Sequence, residues 1–212
     1  MTLILHECPP SGNSYKVRLT AAHLGVELER RPYDVSRGES RTPEFLESVS
    51  PHGKLPVLED NGRMLAESNA ICLYLAEGSD LIPADRFNRA EMLHWMFWEQ
   101  TDHEPNIAVL RLWLTIVGIE TLNGHQREEI AIKRKAGNEA LGLMDRHLAG
   151  REWLVGDALS LADICLFAYT HLADEGGFDL ELYPNIVAWM ERIMLLPRHE
   201  PMFAAPKLAL VS

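Results

Sequence analysis

The sequence is poor in cysteine, and its few cysteines are scattered. Its 212 residues contain three, Cys8, Cys72 and Cys165, and no C-x-x-C pair. This spacing excludes a disulfide scaffold and a zinc-ribbon pattern. Cys72 and Cys165 lie within apolar stretches, so we predict that both are small core residues.

Long apolar runs and an excess of basic residues are also lacking. No stretch approaches the roughly 18 consecutive apolar residues of a membrane helix. Residues 1–7 lack the basic flank and apolar core of a signal peptide, so we expect a cytoplasmic protein. Lys and Arg number 20 against 31 Asp and Glu, a net charge of −11. An acidic chain of this kind is not expected to bind nucleic acid. We also predict no membrane partner.

Several catalytic motifs are missing as well. The chain has no G-x-S-x-G nucleophile elbow and no G-x-x-x-x-G-K-[ST] phosphate loop, which argues against a serine hydrolase and a nucleotide-dependent enzyme. His94 and His103 are nine residues apart, which places them on opposite faces of a helix. Glu99 and His103 could share a face, but one such pair is a poor metal site. We therefore predict no metal.

The first 80 residues alternate between strand and helix signals. Gly25 predicts the end of a first helix, and Thr42-Pro43 predicts the start of a second one. Asp60-Asn61-Gly62, between two apolar runs, predicts a β-hairpin. The expected order is βαβαββα: a strand at 2–6, a helix from Ser14, a more weakly indicated charged strand within 27–35, the helix at Thr42, the hairpin, and a helix from Glu67 to about Gly78.

After residues 81–83 the strand signals stop and only helical patterns follow. Pro105 should bend or break the first of these helices. Ser160 and Asp163 form a plausible capping pair at the start of another. The predicted helices cover 84–117, 125–148, 160–173 and 184–195. The fold class is therefore α/β followed by all-α, with predicted domains at 1–79 and 85–212.

Three clusters of residues in the α/β half could carry chemistry. Ser11-Gly12-Asn13-Ser14 lies at a helix start, where amide groups and the helix dipole favour an anion, although a plain helix cap explains it equally well. Leu55-Pro56 precedes a strand, and a cis bond there would expose backbone groups to an extended peptide ligand, although trans is commoner. Glu67-Ser68 opens a helix and suits an α-amino acid group, although it too could be only a cap.

These clusters, taken in order, resemble the glutathione transferase superfamily over nearly the whole chain. The matching stretches are Ser11-Gly12-Asn13-Ser14-Tyr15-Lys16-Val17-Arg18-Leu19, then residues 51–58, Glu67-Ser68-Asn69-Ala70-Ile71 and Ser160-Leu161-Ala162-Asp163. The set is most similar to bacterial members near the theta-type, serine-using branch. The resemblance implies a thioredoxin-like domain followed by a helical bundle, a cis Leu55–Pro56 bond, a homodimer and a role in detoxification.

The resemblance also implies a glutathione site. Ser11 would stabilise the glutathione thiolate as the catalytic hydroxyl, with Asn13 and Ser14 as competitors for that role. The other glutathione-binding positions implied are Leu55 and Pro56 for the cysteinyl backbone, Glu67 and Ser68 for the γ-glutamyl end, Lys54 with His52 or Arg41 for the glycine carboxylate, and Asp102 reaching a partner subunit's site.

The expected activity is conjugation of the glutathione co-substrate to a small hydrophobic electrophile. By family position, the electrophile pocket would be lined by Phe97, His103, Arg111 and Trp113. One alternative is a glutathione-dependent disulfide reductase or peroxidase, although Cys8 lies too early to match the family's cysteine-using branches. The other is a non-catalytic module of the same fold that binds glutathione or a protein partner.

Overall fold

The computed structural model describes residues 2–203, and these form two compact units. The first comprises residues 2–71 together with 196–203, and the second comprises 72–195. The predicted domain limits, 1–79 and 85–212, stay predictions, and their residues 1 and 204–212 lie outside the described part of the chain. No helix within 2–203 is long and apolar enough to cross a membrane.

The first unit is built on a four-stranded mixed sheet in the order β2-β1-β3-β4. Strand β1 is parallel to β2 and antiparallel to β3, and β3 is antiparallel to β4. The elements are β1 (Leu3–Glu7), α1 (Gly12–Leu24), β2 (Leu28–Pro32), α2 (Pro43–Ser48), β3 (Val57–Asp60), β4 (Arg63–Ala66) and α3 (Ser68–Ala76), the last extending into the second unit. The predicted βαβαββα order is confirmed.

Local sequence signals account for most of these boundaries. Gly25 adopts the left-handed conformation, φ 69°, and ends α1. Thr42 caps α2 by accepting a hydrogen bond from the Phe45 amide at 3.2 Å. Asn61 and Gly62 both have positive φ, 51° and 75°, as the tight hairpin between β3 and β4 requires.

Two boundaries differ from the prediction. Helix α1 begins at Gly12, two residues before the predicted Ser14, because the polar residues at its start contribute no apolar signal. Strand β2 is shorter than the predicted span 27–35, and four of its five residues are exposed. It lies at the sheet edge, where charged side chains are tolerated and blunt aggregation, so its sequence pattern is weak.

The second unit is helical. Its helices are α4 (Arg86–Trp98), α5 (Glu104–Arg111), α6 (Gly124–Leu148), α7 (Leu161–Thr170) and α8 (Pro184–Met194). Within it, α4 packs on α7, α5 on α6, and α6 on α8. Cys165 on α7 is fully buried, and so is Cys72 on α3, which confirms both as core residues.

The long helix predicted over 84–117 is interrupted at two π-helical turns, Glu99–His103 and Leu112–Ile116. The first lies directly before Pro105. A proline within a helix lacks the amide that would bond four residues back, and its ring clashes with the carbonyl there. The wider π turn relieves this clash, and the Asn106 side-chain amide donates to the Asp102 carbonyl at 2.7 Å. Pro105 thus interrupts the α-helical hydrogen-bond pattern at the predicted place, although the backbone stays helical instead of breaking.

Helix α7 forms the centre of the second unit, since all ten of its residues are buried. Its first turn contains the fully buried carboxylate of Asp163. One oxygen, Oδ1, accepts from the Leu154 amide at 2.9 Å and from Trp189 Nε1 at 3.0 Å. The other, Oδ2, accepts from the Ser160 amide and hydroxyl, each at 2.9 Å. Asp163 thus joins α7, α8 and the preceding loop, and the predicted Ser160–Asp163 cap is confirmed.

Replacing Asp163 by alanine should lower the free energy of unfolding by about 3 kcal/mol or more, because four buried donors would lose their acceptor. Chemical denaturation measures this loss. Asp145→Ala is the matched control, since half-buried Asp145 accepts from the first-turn amides of Asn185 and Ile186. That change should cost about 1 kcal/mol, as for other helix caps. If both variants lost the same free energy of unfolding, Asp163 would not be the central buried acceptor of the second unit.

Two histidines of the first unit are held in their neutral form. Burial lowers the pKa of His23, at the end of α1, and neighbouring His199 and Arg198 lower it further. Burial also lowers the pKa of His199, partly opposed by Glu200. The segment that follows the helical unit therefore meets α1 at a place where positive charge is disfavoured.

This arrangement predicts acid destabilisation of the first unit. A histidine whose folded pKa lies below the unfolded value of 6.5 stabilises the fold fully above pH 6.5 and loses that contribution as the pH falls further. The thermal unfolding midpoint should therefore fall between pH 7.5 and about 5.5. His23→Gln/His199→Gln should flatten this decline, and an unchanged slope in the double variant would argue against these two residues.

Candidate functional site

The serine loop, residues Cys8–Ser11, connects β1 to α1. Ser11 occupies the N-cap position of α1 in an extended conformation, φ −82° and ψ 127°, and its amide donates to the Cys8 carbonyl at 2.9 Å. Its side chain makes no capping hydrogen bond. Serine at an N-cap normally accepts from a first-turn amide, so this hydroxyl departs from the usual capping arrangement.

The other two candidates, Asn13 and Ser14, follow this loop in the first turn of α1 and are engaged within the fold. The fully buried Ser14 accepts a hydrogen bond from the Cys8 amide at 3.1 Å through its hydroxyl. Asn13 is half-buried, and its Oδ1 accepts from the Ser68 hydroxyl at 2.9 Å. The structure therefore assigns Ser14 a contact that fixes the loop, and it assigns Asn13 a contact with a second predicted cluster.

That second cluster lies at the start of α3. Glu67 is exposed and has φ 72°, a conformation that costs a non-glycine residue free energy and that persists at functional positions. Ser68, the first residue of α3, is 5% exposed and donates to Asn13 as described. One hydrogen bond thus joins the starts of α1 and α3, two helix ends whose dipoles favour an anion.

The Leu55–Pro56 bond is cis, as the resemblance implies. Leu55 is half-buried and Pro56 is buried directly before β3. The basic candidates Lys54, His52 and Arg41 are all exposed, and Arg41 Nη1 donates to the His52 carbonyl at 3.0 Å. This bond brings two of the candidates for the glycine carboxylate together, beside Lys54.

The candidates in the helical unit have varied surroundings. Asp102 is exposed on the first π-helical turn. Phe97 is 69% exposed, whereas Trp113 is 9% exposed. His103 is fully buried and its Nε2 lies 2.9 Å from the Thr170 hydroxyl. Arg111 is buried and donates to Glu175 at 2.6 Å. His103 and Arg111 thus already have partners inside the unit, and only Phe97 and Asp102 are strongly exposed.

Two further groups near the serine loop could in principle act on a thiol. Burial raises the pKa of the Cys8 thiol, which makes it a weaker nucleophile at neutral pH. Tyr15 is 1% exposed, its hydroxyl donates to the Glu200 carbonyl at 2.7 Å, and burial raises its pKa as well. Tyr15 therefore packs within the fold, and Ser11 is the hydroxyl of the loop with the least structural engagement.

Sequence reasoning missed two buried cations on α1. Lys16 is fully buried, and its Nζ donates to Asn69 Oδ1 at 3.3 Å. Arg18 is 4% exposed and lies beneath the serine loop. Basic residues inside a helical pattern normally indicate a solvated face, so only the tertiary structure reveals that both are buried.

Comparison with known sequences decides the family. Residues 1–77 match the family model for the glutathione S-transferase N-terminal domain, and residues 101–197 match the one for the C-terminal domain. A glutathione S-transferase-like protein of Fusarium is 32% identical, covering 96% of this chain and 94% of that protein. The chain belongs to the glutathione S-transferase family.

Solved bacterial structures of the glutathione S-transferase family are similar along nearly the full chain. A glutathione S-transferase from Pseudomonas fluorescens, known from its crystal structure, shares 44% sequence identity with this chain. The two structures align with a TM-score of 0.89 over 96% of this chain and all of that one. A possible glutathione S-transferase from Rhodopseudomonas palustris is 42% identical with a TM-score of 0.90, covering 97% and 92%. They support the expected thioredoxin-like domain followed by a helical domain.

The described part of this family member holds no group of three or more histidine, cysteine or acidic side chains placed to bind a metal ion. The polar groups of the site are instead hydroxyls, amides and helix-start positions. Such groups can receive the carboxylates, the amide backbone and the thiolate of a small peptide.

The conformation of Glu67 separates stability from binding. Glu67→Ala and Glu67→Gly both remove the carboxylate, but only glycine adopts φ 72° without steric cost. The glycine variant should be more stable than the alanine variant by about 1 kcal/mol in chemical denaturation. If Glu67 binds the ammonium group of a ligand, both variants should lower the affinity for that ligand equally. A glycine variant less stable than the alanine variant would contradict the strain at this position.

Proposed function

We propose that this protein transfers the glutathione thiolate to a small hydrophobic electrophile. The observation that carries the proposal is the Ser11 hydroxyl, which stands at the start of α1 without capping it. In the first turn of α1, Asn13 accepts a hydrogen bond from Ser68, which joins this helix start to the start of α3. Membership of the glutathione S-transferase family also supports glutathione as the substrate.

Glutathione would lie extended along the residue before the cis proline. The backbone of Leu55 would pair with the cysteinyl residue as a strand edge pairs with a peptide. Glu67 would hold the α-ammonium group, and the backbone amides at the α3 start, from Ser68 onward, would hold the adjacent carboxylate, since the Ser68 hydroxyl already donates to Asn13. Exposed Lys54, assisted by Arg41 and His52, would attract the glycine carboxylate. Each end of glutathione thus meets a group of opposite charge or a hydrogen-bond donor.

The chemical step needs the thiol as its anion. The thiol proton leaves to water, and the Ser11 hydroxyl donates a hydrogen bond to the sulfur, which favours the anion and lowers the thiol pKa. The thiolate then attacks the electrophilic carbon: a carbon–sulfur bond forms, and the leaving group departs with its electron pair. Ser11 accelerates the reaction by raising the thiolate fraction and fixing the position of the sulfur.

The helical unit would supply the surface for the electrophile. Of the predicted pocket residues, strongly exposed Phe97 is the one we propose as a direct contact, while Trp113, His103 and Arg111 support the wall from inside the unit. A homodimer, in which Asp102 would reach the partner's glutathione site, remains part of the proposal. The raised pKa of the Cys8 thiol disfavours the alternative of a disulfide reductase that uses a protein cysteine.

Ser11→Ala should lower kcat about 10- to 100-fold, since a hydrogen bond to a charged group contributes about 1.5–3 kcal/mol. Because the variant no longer lowers the thiol pKa, its pH–rate profile should move to higher pH by about one to two units. Calorimetric titration should show nearly unchanged glutathione affinity, since the peptide contacts remain. Activity is followed with a halo-aromatic electrophile.

Ser14→Ala is the matched control. It removes a buried hydroxyl from the same helix turn and should cost about 1 kcal/mol of stability without moving the pH–rate profile. Loss of activity in the Ser14 variant with full activity in the Ser11 variant would transfer the catalytic role to Ser14. Absence of saturable glutathione binding by the unaltered protein at millimolar concentration would overturn the proposed function itself.

A further inference from the structure

The buried guanidinium of Arg18 contacts three separate segments of the first unit. Its Nη2 donates to the Pro9 carbonyl at 3.0 Å, and its Nη1 donates to the Met202 carbonyl at 3.2 Å. Its Nε lies 3.2 Å from Glu7 Oε2. A single side chain of α1 therefore links the end of β1, the serine loop and the C-terminal segment 196–203.

The position of this guanidinium is fixed by a buried carboxylate. Glu7 is 1% exposed and pairs with Arg18 on one oxygen and with Arg30 Nε on the other. A buried ion pair is costly to desolvate and is tolerated where further hydrogen bonds satisfy its remaining donors. For Arg18 these further acceptors are the carbonyls of Pro9 and Met202. Arg30 is 42% exposed and contacts neither of them.

At its two ends the serine loop is held by backbone amides: the Cys8 amide donates to the Ser14 hydroxyl, and the Ser11 amide donates to the Cys8 carbonyl. Two of its residues, Pro9 and Pro10, carry no amide hydrogen, so this part of the loop can be held through hydrogen bonds only by its carbonyls. The Pro9 carbonyl is the one Arg18 holds, and it lies two residues before Ser11. The position of the Ser11 hydroxyl therefore depends on where this guanidinium lies.

The C-terminal segment is held on the same helix by two more hydrogen bonds. The Tyr15 hydroxyl donates to the Glu200 carbonyl at 2.7 Å, and Arg198 Nη1 donates to the His23 carbonyl at 2.8 Å. Together with the Arg18–Met202 bond they span α1 from its first turn to its last. The segment is thus a second fixed support for the guanidinium, opposite the serine loop.

We propose that Arg18 is a positioning residue: its guanidinium, held by Glu7 and by the Met202 carbonyl of the C-terminal segment, fixes the Pro9 carbonyl and thereby the Ser11 hydroxyl. The guanidinium donates to two carbonyls from different nitrogens while its Nε faces the Glu7 carboxylate, an arrangement that the single ammonium of lysine does not reproduce. The consequence for catalysis rests on the proposed function, whereas the anchoring of the loop does not.

The test compares three variants of the full chain by NMR amide exchange and by kinetics. Arg18→Lys keeps the charge beside Glu7 but loses the fork. Glu7→Gln/Arg18→Met removes both charges together, which avoids the unfolding that a single buried charge would cause. Arg30→Gln is the matched control, because it removes the other partner of Glu7 without touching a loop carbonyl.

Both Arg18 variants should raise the exchange rate of the Ser11 amide about fivefold, since the loss of one hydrogen bond of about 1 kcal/mol loosens the loop. They should lower kcat about tenfold, while KM for glutathione changes less than about threefold, because the peptide contacts remain in place. Arg30→Gln should change none of these values. A split between kcat and KM is not expected if Arg18 only stabilises the fold.

Unchanged Ser11 exchange in a folded Arg18→Lys variant would overturn the inference, and so would an equal effect of Arg30→Gln. Faster exchange with unchanged kcat would also overturn the positioning role, because the loop would then move without consequence for the sulfur. If the unaltered protein binds no glutathione, the proposed function fails by itself, and the exchange rates still decide whether Arg18 anchors the loop.

Discussion

The first-turn amides of an α-helix need acceptors from outside the helix, and at several helices within residues 2–203 side chains provide them. Thr42 accepts at α2, Asp85 at α4, Asn123 at α6, and Asp145 reaches from α6 to the start of α8. At α1 the N-cap residue is Ser11, the preferred type, yet its side chain does not cap. Under the proposed function, the Ser11 hydroxyl serves the glutathione thiolate in place of a helix amide.

Elements encoded by short-range rules could be predicted from the sequence. The hairpin follows from Asn61-Gly62, the end of α1 from Gly25, and the start of α2 from Thr42-Pro43, because each rule depends only on backbone conformation and nearest neighbours. The capping pair of Ser160 with Asp163 belongs to the same group. The order of elements and the two-part fold class therefore followed before any tertiary contact was known.

Features that depend on distant residues could not be predicted. The sequence alone indicated that Pro105 disturbs its helix, but the form of the disturbance, a π-helical turn, depends on how α4 and α5 both pack in the unit. Lys16 and Arg18 had the sequence character of a solvated helix face. Their burial follows from partners 53 residues along the chain for Lys16 and 184 for Arg18, which no local pattern contains.

The candidate site shows the same limit within a single loop. The sequence left Ser11, Asn13 and Ser14 as competitors because all three are small polar residues at one helix start. The structure distinguishes them by their bonds: Ser14 accepts from Cys8, and Asn13 accepts from Ser68. A hydroxyl that a fold needs for its own amides has little freedom to follow a sulfur whose charge changes during a reaction. Under the proposed function, neighbours of Ser11, namely Asn13, Ser14 and Arg18, make the fold-stabilising bonds, and the Ser11 hydroxyl therefore remains available to the thiolate.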